Sequence, residues 1–317
     1  MKVISFILFF LIACLPLSQA IRSNPSEDLG GVQGLFIFGD SALDAGQNTY
    51  IPGSRIMSAV PPYGKSYFDK PTGRWTDGRT IGDFLAQALG LPLLPPYLRP
   101  GANFSSGVNF ASAGAGLLDE TNAHQLHQFR NVIDGYKRVK GADSTTQFLK
   151  SSIAMFSIGA NDIANNAPGN SLLFQEMLET YSNAIQNLAI KIHNDYRDLN
   201  IVTLNPTTVV LTILSNPDKY GFKEAEKACC GGGPFNAAEF CADVDKHDWK
   251  PNHKNKYQQS VCSNPKDYLY FDSNHFTEAG TWMMLKNFWY GSYAVAKPSN
   301  LSFFLSRFTI PNPPPKP

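Results

Sequence analysis

Three apolar runs, each closed by a cluster of small and polar residues, restrict this chain to very few folds. They are Gly34-Leu-Phe-Ile-Phe-Gly-Asp, Gly107-Val-Asn-Phe-Ala-Ser before Ala113-Gly114-Ala115-Gly116, and Ser152-Ile-Ala-Met-Phe-Ser-Ile before Gly159-Ala-Asn-Asp. Apolar side chains on both faces are what a strand needs in a parallel sheet covered by helices on either side. Helical patterns lie among these runs. Ile81–Leu89 has helical spacing and stops at Gly90, residues 171–193 form a long amphipathic stretch, and Ile201–Leu214 mixes strand and helix signals. Thr277 is placed to cap a last helix with apolar positions 282, 285, 288 and 289. Strands alternating with helices predict a three-layer α/β/α fold with a doubly wound, mainly parallel sheet. Ligand sites in such sheets form beyond the carboxyl ends of the strands. Asp40-Ser41, Ala113-Gly114 and Asn161-Asp162 all fall there.

Of the 317 residues, 43% are hydrophobic and the formal net charge is +1, so one core can form and polyphosphate finds no basic surface. No nucleic-acid partner is expected. Lys2, the apolar run Val3–Leu17 broken only by Ser5, and Ser18-Gln19-Ala20 have the layout of a cleaved secretory leader over residues 1–20. That run is too short to span a bilayer, which takes about 20 residues, and no later segment is a better candidate. The reading is therefore an exported protein without an integral membrane segment, with one domain over 21–310 and a Pro-rich tail over 311–317. Past the leader stand Cys229, Cys230, Cys241 and Cys262. An even number in an oxidising compartment implies two disulfides; adjacent Cys229 and Cys230 are poor partners for each other, so each reaches one of the other two. A zinc site is disfavoured because no C-x₂-C pair exists. Asn103-Phe-Ser and Asn300-Leu-Ser fit the N-glycosylation pattern.

Ser41 follows a buried strand through a Gly-Asp turn; alone, it reads as a helix cap. Asp272 and His275, three residues apart before the last helix, can meet through a single turn, or can equally be a loop cap beside a surface imidazole. His124 and His127 lack a third convergent metal ligand and read as a solvated helix face. Asp243, Asp245, His247 and Asp248 fail calcium-loop spacing and read as a hydrated loop. Trp282, Phe288, Trp289 and Tyr290 read as core and rim packing, and residues 50–75 as an ordinary surface loop in preference to the wall of a substrate groove.

Taken together, Phe38-Gly-Asp-Ser-Ala-Leu-Asp-Ala-Gly, Val108-Asn-Phe-Ala-Ser-Ala-Gly-Ala-Gly, Gly159-Ala-Asn-Asp and Asp272-Ser-Asn-His resemble the ordered blocks of plant-type GDSL esterase/lipases, a branch of the SGNH hydrolases. Pro62-Tyr-Gly-Lys, Pro71-Thr-Gly-Arg-Trp-Thr-Asp-Gly-Arg, Tyr220-Gly-Phe and Ala228-Cys-Cys-Gly match that branch as well. The resemblance implies a flavodoxin-like sheet and hydrolysis of carboxylic esters, lipid or cell-wall-type, with no cofactor or metal. It implies Ser41 as nucleophile, His275 as general base and Asp272 as its orienting carboxylate. The Ser41 and Gly114 N–H groups and the Asn161 amide would form the oxyanion hole. Acyl and alcohol specificity do not follow from it.

The chain departs from the family pattern at Ala42, at Gln47 where Asn is usual, and at Phe276 where Pro usually follows the histidine. One strand–helix unit, of about 30–40 residues, is expected to be absent after the third block. Either Ile201–Val210 takes the vacated place, or the variant folds poorly. An alternative function follows from the shortened sheet: a secreted binding protein that keeps the fold with impaired or no catalysis.

Overall fold

A computed structural model describes residues 10–14, 31–54, 56–116, 124–166, 171–195, 200–238, 241 and 261–310. The tail 311–317 and the acidic segment 243–248 lie outside the described residues. The strands are β1 (Phe10–Cys14), β2 (Gly34–Gly39), β3 (Gly107–Asn109), β4 (Ser152–Ser157), β5 (Asn200–Leu204), β6 (Glu224–Ala228), β7 (Tyr268–Tyr270) and β8 (Ala296–Lys297). The helices are α1 (Ile81–Ala88), α2 (Gln125–Lys140), α3 (Ala142–Lys150), α4 (Ala160–Asn166), α5 (Ser171–Asp195), α6 (Pro206–Ser215), α7 (Glu278–Tyr290) and α8 (Leu301–Phe304).

Among the described residues six strands form the main sheet in the order β3-β2-β4-β1-β5-β8, and β6 and β7 pair separately. β2 runs parallel to both β3 and β4, giving the parallel centre that its two-faced apolar sequence requires. Leu35 and Ile37 of β2 pack into a core shared with α1, α6 and α7, while Phe36 and Phe38 point the other way into a cluster with Val132 and Tyr136 of α2 and Phe148 of α3. The period of two along one strand thus separates two cores, and the molecule is a mixed α/β fold with helices on both faces of β2.

Local signals set most of the helix ends. Thr80 caps α1 in a capping box with Asp83, Pro206 opens α6 behind the Asn205 cap, and the Thr277 hydroxyl accepts the Gly280 N–H at the start of α7. The mixed signals of Ile201–Leu214 resolve into a strand, β5, and a helix, α6, in succession.

The sheet departs from the mainly parallel expectation at two places: β8 pairs antiparallel with β5, and a further strand enters between β4 and β5. Residues 1–20 were expected to stand outside the fold, yet Phe10–Cys14 lies between β4 and β5, antiparallel to both. Phe10 is opposite Ser157 and Leu204, and Cys14 is opposite Ile153 and Asn200. β5 therefore does not move up beside β4, as one of the two expected outcomes had it. An interior sheet position accepts an apolar run whatever its place in the chain, and Val3–Leu17 is such a run.

Candidate active site

The first loop of the site begins where β2 ends. Gly39 has room for no side chain: a Cβ there would lie 2.5 Å from the Ser157 carbonyl oxygen. Close approach to β4 therefore requires glycine immediately before the Asp40-Ser41 turn. Gln125 of α2 grips the same residue from the other side, accepting the Gly39 N–H at 2.9 Å and donating to its carbonyl at 2.8 Å. After Ser41, the Asp44 carboxylate accepts from the N–H groups of Gly46, Gln47 and Ala113 at 2.6–3.0 Å. Asn48 adds a bond from its amide to the Ala113 carbonyl at 2.9 Å. The serine loop and the Ala113-Gly114 loop are thus one hydrogen-bonded body. Gly114 has φ of 84° and open space on the side where a Cβ would stand. Asn161, in the first turn of α4, donates through its amide to the Ala115 carbonyl at 2.9 Å, which brings it against the Gly114 turn. Gln47, unusual at its position, is buried and donates to the Phe110 carbonyl at 3.0 Å.

Asp272 and His275 enter from the loop between β7 and α7. The Asp272 carboxylate accepts the backbone N–H groups of Asn274 and His275, both at 2.9 Å, which folds the loop into a tight turn. The turn sets His275 Nδ1 2.7 Å from Asp272 Oδ1 and 2.9 Å from Oδ2. The far ring nitrogen, Nε2, lies 2.8 Å from Ser41 Oγ. Ser41, His275 and Asp272 therefore form one continuous chain of contacts, although 234 residues separate the serine from the imidazole. Burial pushes the Asp272 carboxyl up, but the facing His275, the Asn274 N–H and the Tyr63 hydroxyl outweigh it and hold it below the usual carboxylate range. Asp40 behaves oppositely: burial raises it to about 7 despite the Ala42 N–H and the charge of His275. Burial likewise lifts Asp44 to about 6, against the N–H groups it accepts.

A cavity of about 240 Å³ opens on Ser41 and His275 and is lined further by Asp40, Asn161, Asn165 and Asn274. On the other side of Ser41 a cleft of about 30 Å³ is bounded by Trp75, Thr76, Phe276 and Thr281. Phe276, where the resemblance led to Pro being expected, stacks on Tyr270 with ring centroids 5.3 Å apart, and the two residues pair by a β-bridge. Ring stacking and backbone pairing hold this position without a proline.

The stretch 50–75 is not the ordinary surface loop that its irregular sequence suggests. Tyr63 is buried and donates its hydroxyl to Asp272 Oδ2 at 2.8 Å, and Trp75 lies over the His275 ring at 5.1 Å. Arg74 makes a two-pronged ion pair with Asp83 of α1 at 2.7 and 2.8 Å, and Arg79 binds Glu278 of α7 at 2.7 Å. These pairs anchor the loop at the two helices that flank it. Tyr63, Trp75 and Gln125 carry no spacing signal; the matches around Pro62-Tyr and Arg74-Trp pointed toward the first two, and nothing pointed toward Gln125.

Two disulfides, Cys229–Cys262 and Cys230–Cys241, pack with Tyr63 and Phe271 behind the Asp272 turn. The vicinal pair stays apart, as the sequence implied. Asn103 is exposed, whereas Asn300 caps α8 and donates to the Gly291 carbonyl at 2.9 Å. His124 and His127 are exposed, and no cluster that could hold a metal occurs among the described residues. No described helix is long and apolar enough to cross a membrane.

Residues 35–288 match the model of the GDSL-like lipase/acylhydrolase family. The chain is 32% identical to GDSL esterase/lipase 5 of Arabidopsis thaliana over 348 aligned positions, covering 87% of this chain and 88% of the relative. It is 31% identical to a GDSL lipase of Tanacetum cinerariifolium over 326 positions, covering 84% and 86%, and 30% identical to GDSL esterase/lipase 2 of Arabidopsis thaliana over 371 positions, covering 94% and 96%. The fold and these likenesses define an α/β protein of a family whose relatives carry the names of esterases and lipases. The chain belongs to the GDSL-like lipase/acylhydrolase family. Each of the three alignments is longer than this 317-residue chain.

Proposed function

We propose that this protein hydrolyses carboxylic esters through an acyl-enzyme formed on Ser41. The contact chain Ser41–His275–Asp272, at 2.8 and 2.7 Å, carries the reading. Ser41 Oγ attacks the ester carbonyl carbon while its proton passes to His275 Nε2. Asp272 holds Nδ1–H and so fixes the tautomer with Nε2 free to accept. The tetrahedral oxyanion is received by the N–H groups of Ser41 and Gly114 and by the Asn161 amide, which has a second hydrogen beside the one given to Ala115. Collapse breaks the carbonyl–alkoxy bond, and His275 returns the proton to the leaving alcohol. Water then gives a proton to His275, attacks the acyl carbon, and the acid leaves as Ser41 regains its hydrogen. The substrate is a lipid or cell-wall-type ester, or a smaller one that the cavity beside Ser41 and Asn161 admits. The chemistry calls on no metal or cofactor.

Export fits the leader-like residues 1–20 and the two disulfides. The hydrolase domain is then 21–310, and the tail 311–317 lies beyond it. The test is hydrolysis of short-chain p-nitrophenyl esters by the purified chain beside Ser41→Ala, with circular dichroism on both. Turnover that vanishes in the variant supports the reading. An organophosphonate that leaves Ser41 unlabelled in folded protein overturns it.

A second reading, a family fold without turnover, is favoured by one observation: the place between β4 and β5 is held by residues of the leader. Together with alignments longer than the chain, that supports the loss of an internal strand–helix unit. Cleavage would then leave two strands one strand's width apart, with backbone groups lacking ladder partners. Comparing ester turnover by the full chain and by residues 21–317 separates the readings.

A further inference from the structure

We propose that Tyr63 is a positioning residue of the site, one that holds the Asp272 carboxylate in place and sets how strongly it binds the His275 imidazole. The inference rests on the ester-hydrolase reading. Asp272 Oδ1 is held by two backbone N–H groups of its own turn, but Oδ2 receives only His275 Nδ1 and the Tyr63 hydroxyl among the hydrogen bonds described. The hydroxyl arrives at 2.8 Å from 209 residues away, so nothing in the local turn supplies it. Tyr63 is itself fixed. Its ring meets Phe271 edge-on at 5.0 Å and Trp75 at 5.9 Å, and Trp75 in turn covers His275. The phenol has no latitude to swing away and is buried beside the disulfides.

A donor on Oδ2 has two consequences. It prevents the carboxylate from rotating off the imidazole, which preserves the aim of Nε2 at Ser41 Oγ. It also withdraws negative charge from the atoms facing Nδ1, so the imidazolium formed during attack is held less tightly than by a bare carboxylate. A further titratable group that interacts with His275 is Asp40, beside Ser41, which Asp162 also faces. Asp77 accepts the Glu278 N–H, and Glu278 is paired with Arg79, on the far side of the Thr277 cap.

The experiment replaces Tyr63 by Phe, and separately by a ring-fluorinated tyrosine, a stronger donor of nearly the same shape. Tyr63→Phe is expected to lower kcat about tenfold, the effect of one lost hydrogen bond to a charged group, with KM unchanged. The acid limb of its pH–rate profile, set by the Asp272–His275 pair as a unit, moves to higher pH. The fluorinated residue moves that limb to lower pH and keeps the fold even where Phe does not. A purely structural Tyr63 lowers the melting temperature and leaves both limbs in place, which overturns the proposal. If wild-type protein turns over no ester, the ester-hydrolase reading fails by itself. The proposal is then read from the His275 Nδ1–H proton resonance. Its displacement in opposite directions by the two substitutions supports a positioning bond, and an unmoved resonance refutes it.

Discussion

Asp40 stands between Gly39 and Ser41, is buried, and has one carboxylate oxygen, Oδ2, without a hydrogen-bond partner among the described residues. Its carboxyl is raised from 3.8 to about 7 by burial, against the Ala42 N–H and the charge of His275. The folded chain therefore binds this proton more tightly than the unfolded chain. Between those two values the native state carries the extra proton, so stability falls as pH rises through the window. Roughly three pH units at ~1.4 kcal/mol each sets the loss at about 4 kcal/mol by pH 8. Asp40→Asn keeps an acceptor for the Ala42 N–H and imitates the protonated acid without titrating. The substitution is expected to be nearly neutral in urea melts at pH 4.5 and to stabilise by up to ~4 kcal/mol at pH 8. Because each pH compares two chains that differ only at residue 40, other titrating groups cancel. A difference between wild type and variant that is the same at both pH values refutes the reasoning and means that Asp40 stays ionised in the fold.

Two further outcomes are expected. On the proposed mechanism Asn161→Ala removes one oxyanion donor and is expected to lower kcat by about 10²–10³ with little change in KM; steady-state kinetics on a p-nitrophenyl ester check it, and a KM effect alone assigns Asn161 to substrate binding instead. Replacing Cys230 and Cys241 by Ser opens the short loop and lowers unfolding free energy by about 3 kcal/mol on loop-closure entropy; urea melts of the double variant read this, and its activity falls with the packing around Tyr63 and Phe271.

What the sequence made legible was mostly local. β2, β4, α1 and the Thr277 cap lie where periodicity and capping residues put them, because each rests on neighbours within one or two turns. The Ser41–His275 contact joins residues 234 apart, and no periodicity reports such a distance. Only the order of the family-like blocks suggested it. Tyr63 was lost in an irregular Pro- and Gly-rich stretch because its partner, Asp272, is 209 residues away. For the cysteines, exclusion of the vicinal bond was legible, while the choice between Cys241 and Cys262 depended on tertiary packing. The leader was ambiguous in a different way. An apolar run of that length satisfies a translocation signal and an interior strand equally well, and composition does not distinguish the two.

That double suitability has a consequence in time. The strand Phe10–Cys14 pairs with Ser152–Ser157 and Asn200–Leu204, which lie far along the chain. Contacts so distant along the chain close slowly, whereas recognition of a leader occurs while the rest is still being synthesised. A segment threaded through a membrane pore and cut off has no second career as the middle rung of a sheet. If residues 1–20 are removed as a leader, processing becomes a choice between two molecules, one with and one without the strand between β4 and β5.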